Sequence, residues 1–128
     1  MVARPSGPDG RVVTAQGDPR AVFRRAIERG NLLVAEMTLR AEIPRPTLVD
    51  LLELTALIAQ KDPKRHSRVA ARWLLRYLGA VDDATLEDAA LAGAALQALG
   101  SRHHAHALST LSDMAEEASR RRGSRGPS

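Results

Sequence analysis

TLVDLLELTALIAQKDPKRHSRVAARWLLRYL, residues 47–78, carries the fold of this chain in its spacing. Leu48, Leu51, Leu52, Leu54, Thr55, Ile58 and Ala59 recur at short helical intervals. At about 100° per residue they sweep one broad arc and leave Asp50, Glu53 and Gln60 on a thin polar strip. Asp62-Pro63 then places a side-chain acceptor before a residue without an N–H, which is the chemistry of a helix start. If 61–78 coils as one rod, Lys61, Arg65, Arg68, Arg72 and Arg76 fall within roughly 80° of arc. Ala70, Ala71, Trp73, Leu74, Tyr77 and Leu78 take the opposite side. One face is built to bury, and the other to attract anions.

The same punctuation continues outward in both directions. Asp18-Pro19 opens a helix, Gly30-Asn31 closes it and caps the next, and Pro44 and Pro46 stop that one. Thr47 with Asp50 and Thr85 with Asp88 have the spacing of a capping box, with Asp in place of the longer acid. Gly79 is expected to stop the fourth helix, Gly100 to close the fifth and Ser101 to cap the sixth. The spacing therefore predicts six helices, over 19–29, 31–42, 47–60, 63–78, 85–99 and 102–120. No stretch alternates apolar and polar residues for long enough to make a strand.

The expected class is all-α: a compact bundle of about six short helices, arranged as antiparallel pairs, with the third the most buried. Unequal spacing of the helix pairs argues against a repeat array. The fifth helix, EDAALAGAALQAL, is rich enough in Ala and Gly for neighbouring backbones to come close. The expected organisation is a disordered N-terminal tail over 1–17, a single helical domain over 18–120 and a disordered basic tail over 121–128.

Composition narrows the function classes. A chain of 128 residues is long enough for one domain with its own core. Phe23, Trp73 and Tyr77 are its three aromatic residues, so the core must be assembled from aliphatic side chains and many alanines. Zero cysteines exclude disulfides, thiolate zinc sites and cysteine nucleophiles. The first 19 residues hold no apolar run that could serve as a signal-peptide core, and no stretch reaches the length of apolar residues that spans a bilayer. A cytoplasmic protein without membrane contact is expected.

The net charge of +4 is unevenly laid out. Residues 18–60 balance, whereas 61–78 carry six cations against Asp62 alone. Residues 79–119 reverse this, with Asp82, Asp83, Glu87, Asp88, Asp113, Glu116 and Glu117 against Arg102. Four arginines follow from Arg120. The basic helix can meet nucleic acid, meet acidic helices of its own or a second copy, or stay solvated.

Catalytic templates are absent: there is no G-x-x-x-x-G-K-[ST], G-x-S-x-G or H-E-x-x-H, and no small-molecule substrate is indicated. His103, His104 and His106 read as an exposed cluster at a helix start rather than a metal site, and His66 as a surface residue. Trp73 and Tyr77 read as core, and Leu75, beside the basic arc, as an interface residue. No catalytic residue, cofactor or metal is expected.

The stretch 30–78, GNLLVAEMTLRAEIPRPTLVDLLELTALIAQKDPKRHSRVAARWLLRYL, resembles small uncharacterised all-helical proteins of high-GC actinobacteria. That resemblance implies an intracellular helical fold and brings no activity, cofactor or site residue with it. The leading expectation is a non-enzymatic protein–protein interaction module, contacting an acidic partner or itself through Lys61, Arg65, Arg68, Arg72 and Arg76. The alternative is a small nucleic-acid-binding or regulatory protein placing the same residues on phosphates.

Overall fold

Local side-chain caps start most helices of the computed structural model, which describes the backbone of residues 18–125 and side chains through 122. Helix α1 spans Pro19–Arg29, with the Asp18 carboxylate accepting from the Arg20 amide at 3.2 Å. It ends at Gly30, whose φ of 71° is open to glycine without the Cβ clash other residues meet. The amides of Gly30 and Asn31 reach back to the carbonyls of Ile27 and Ala26. Asn31 then caps α2, Leu32–Glu42, by accepting from the Val34 amide.

Helix α3 runs Leu48–Lys61 and opens on a complete capping box. Thr47 Oγ accepts from the Asp50 amide at 3.0 Å, and the Asp50 carboxylate accepts from the Thr47 amide at 2.9 Å. Helix α4 spans His66–Ala80 and α5 Leu86–Ala98, the latter behind an equivalent box of Thr85 and Asp88. Ser101 Oγ accepts from the His103 amide just ahead of α6, His104–Arg125. The class is all-α, and no strand occurs among the described residues.

The helices group into two compact units that divide between Arg45 and Pro46. In the first, α1 and α2 pack as a helical hairpin. In the second, α3 packs on α4 and α6, α4 on α5 and α6, and α5 on α6. The prolines at 44 and 46 bar helix at this joint and remove two backbone donors.

The core of the second unit is built mainly of small side chains around a few large ones. Leu52, Leu99 and Leu111 are fully buried among Ala56, Ala92 and Ala115. Trp73 and Tyr77 stack with ring centroids 5.6 Å apart, as the core reading required. The indole Nε1–H donates to the Leu48 carbonyl at 2.8 Å, which ties the middle of α4 to the first turn of α3. Helix α3 is the most buried, with seven of its 14 residues inside.

Three boundaries differ from the sequence reading. Lys61 belongs to α3, and Asp62 makes no side-chain cap. A 3₁₀ turn over Pro63–Arg65 follows, closed by the Arg65 amide on the Asp62 carbonyl, so α4 begins only at His66. Gly79 lies inside α4 in ordinary helical backbone; the helix ends because Val81 turns extended and is buried at 5% exposure. Helix α6 continues to Arg125, five residues past the expected end, because Glu117 anchors Arg120 and Arg121 one turn further on. The tail expected over 1–17 and the last residues, 126–128, lie outside the described residues.

Candidate docking face

Helix α4 divides its circumference sharply. Ala70, Trp73 and Tyr77 are buried on one side. Arg68, Arg72 and Arg76, at four-residue steps on the other side, are all exposed, and Ala71, Leu75 and Gly79 run exposed beside them at the same step. Each step of four advances about 6 Å and turns about 40°, so the two rows form adjacent ridges. Leu75 is 70% exposed between small neighbours, an apolar residue left in water beside three cations.

Of the five residues predicted for this face, three are brought together and two are not. Pro63 and the non-helical backbone at Asp62 interrupt the rod, so the angular phase of 61–65 does not carry into α4. Lys61 is exposed at the end of α3, and Arg65 is half-buried in the 3₁₀ turn with Asp62 at 3.5 Å.

The acids among the described residues do not neutralise the row. Arg120 meets Glu117 at 2.6 Å, and Arg121 spans Glu117 at 3.4 Å and Asp83 at 3.1 Å. The hydrogen bond and charge of Arg120, with help from Arg121, hold the Glu117 carboxyl below the usual range; Glu117 in turn raises Arg120. The C-terminal arginines thus satisfy part of the acidic segment. Among the described residues no carboxylate forms an ion pair with Arg68, Arg72 or Arg76.

No protein-family model, curated protein or solved structure matches this chain. The face is therefore read from its own chemistry. Two of the histidines are committed to the fold. His66 is half-buried, not a surface residue, with Nε2 2.8 Å from the Leu96 carbonyl. His104 Nδ1 lies 2.7 Å from the Leu99 carbonyl. Both carbonyls lie around the C-terminal end of α5, where intrahelical donors run out, and the two rings donate to them there. The histidine cluster is thereby split, with His103 and His106 exposed.

Sequence reasoning missed Arg122, which fell in the expected disordered tail. It lies on α6 and faces the same side of the unit as Arg76, at one end of the α4 row. The signal was present in SRRRG: continued as helix after Glu117, this run sets Arg120 and Arg121 beside that carboxylate and turns Arg122 away from it.

Proposed function

We propose that this chain is a non-enzymatic helical interaction module of the cytoplasm, docking an acidic protein surface, a partner's or a second copy's, on the exposed face of α4. The observation that carries this reading is Leu75, 70% exposed beside three arginines that no described carboxylate pairs. Unpaired guanidinium groups steer an acidic surface into place, and an exposed leucine between small residues supplies an apolar anchor once water is excluded. The small Ala71 and Gly79 let the docked surface approach the backbone closely, since a Cβ built on Gly79 meets nothing within 4 Å.

Nucleic acid is the competing partner, because an arginine every 6 Å or so approximates the phosphate spacing of one strand. A phosphate track gains nothing from Leu75, and Ser67 is the single short polar residue exposed near the start of α4 for reading base edges. Titration of a fluorescent polyglutamate peptide and a fluorescent DNA duplex, each at two salt concentrations, separates the two. The interaction reading expects peptide binding or self-association in sedimentation, lost on joint Arg68→Ala and Arg72→Ala substitution and weakened by Leu75→Ser. Duplex binding whose logarithm falls by about 0.9 per phosphate contact with log salt, indifferent to Leu75→Ser, would replace it with the nucleic-acid reading. A monomer that binds neither probe would remove the docking face.

A further inference from the structure

Three consecutive arginines near the end of α6 are dealt to different sides by helical geometry. With Glu117 as the origin, about 100° per residue sets Arg120 at roughly 300° and Arg121 at roughly 40°, both flanking it. Arg122 falls at roughly 140°, turned away. The contacts follow this division. Arg120 and Arg121 hold Glu117 and Asp83, whereas Arg122 lines an open cleft of about 490 Å³ together with Arg76 of α4. Thr47 and Leu48 at the start of α3, Gly79 of α4 and Ser119 of α6 contribute to its walls.

Among the described residues no carboxylate lines this cleft, and neither Arg76 nor Arg122 forms an ion pair. Two like charges from different helices thus face one concavity without a counter-charge. A concave wall carrying two charges of one sign concentrates their field. An anion with two charges would balance the pair.

We propose that the cleft binds a phosphate monoester between the guanidinium groups of Arg76 and Arg122. A monoester carries between about −1.5 and −2 at neutral pH and three acceptor oxygens, matching two guanidinium groups in charge and in forked donor geometry. A carboxylate would leave one arginine unbalanced, and a nucleic-acid phosphodiester carries a single charge. Ser119 adds a neutral hydroxyl donor to the wall. The N-terminal pole of α3 opens nearby, but Asp50 already occupies the Thr47 amide, so the two arginines carry the site. This site goes beyond the docking reading, sharing Arg76 and Gly79 with it and needing no protein partner.

The test follows backbone amide shifts of the full chain by NMR during titration with inorganic phosphate, against sodium chloride at matched ionic strength. Saturable shifts around 47–48, 76–80 and 118–122 are expected. Arg76→Ala and Arg122→Ala should each weaken binding about tenfold or more, the loss of one charge-assisted bidentate contact. Arg122→Lys should fall between, keeping the charge without the fork. Arg68→Ala should leave the affinity unchanged while it weakens acidic-peptide docking, so the two readings fail separately. Circular dichroism of each variant reports its fold directly, and all three arginines are exposed. Free phosphoserine and a phosphoserine peptide distinguish the source: equal affinities identify the monoester group alone, and a peptide about tenfold tighter identifies a phosphorylated segment of a protein. Shifts that sodium chloride reproduces, that grow without saturating, or that persist in both alanine variants overturn the proposal.

Discussion

Replacing Trp73 with phenylalanine probes the joint between α3 and α4 on which the orientation of the docking face depends. The indole is 2% exposed, donates to the Leu48 carbonyl at 2.8 Å and stacks on Tyr77 at 5.6 Å. Phenylalanine keeps an aromatic ring for the stack and loses the donor and part of the volume. The hydrogen bond contributes about 1 kcal/mol net; the carbonyl it leaves lies in the first turn of α3, where a second lone pair serves the helix, so no larger penalty is expected. The missing ring atoms and the void they leave add roughly 1–2 kcal/mol. The sum, about 2–3 kcal/mol, corresponds to a fall of roughly 8–20 °C in Tm for a body of this size. The assay is thermal unfolding followed by circular dichroism at 222 nm, because the substitution removes the one tryptophan and with it the fluorescence signal. A shift under about 2 °C would refute the reasoning, since it would mean that the indole neither holds α3 nor fills the core.

Two further outcomes test other parts of the fold. Gly79→Ala and Gly93→Ala should each raise stability by about 0.5–1 kcal/mol, because both glycines sit in helix with open space at the Cβ position, whereas Gly30→Ala should lower it by about 1 kcal/mol at a φ of 71°. Thermal melts of the three variants decide it, and equal signs at Gly30 and Gly79 would contradict the assigned backbone. Burial, with Asp88 and then Asp83 adding to it against the opposing charge of Arg121, raises the Tyr77 pKa. The neutral phenol is therefore favoured in the folded state, and its contribution, complete below the unfolded value of about 10, is lost as pH rises through the folded value. Ultraviolet titration of this sole tyrosine should show native ionisation above that in urea; coincident curves would place the phenol in water.

The helix starts were legible because capping is a transaction among residues within one turn. Asp18, Asn31, Thr47 with Asp50, and Thr85 with Asp88 each find their donors two or three positions on, wherever the helix later docks. Asp62-Pro63 failed as a start for a related reason. Asp62 is also the C-terminal cap of α3, its amide bonded to the Ile58 carbonyl, and with no residue between the two helices the chain took a 3₁₀ turn instead. That turn removed Lys61 and Arg65 from the row, while the strict four-residue spacing inside α4 kept Arg68, Arg72 and Arg76 on it. Gly79 misled because a glycine stops a helix only where the chain must adopt positive φ, and here the buried Val81 makes the turn.

Helical class, cap positions and the inward side of α4 follow from residue order alone, since each depends on periodicity or on partners a few positions apart. Packing settled the rest. Asp83 and Arg121 are 38 residues apart, His66 and the Leu96 carbonyl 30, and Arg76 and Arg122 share a cleft only because α4 and α6 pack together. Charge runs in a linear chain state how many cations there are; the directions in which helices point them determine which are neutralised within the molecule and which remain to meet an anion.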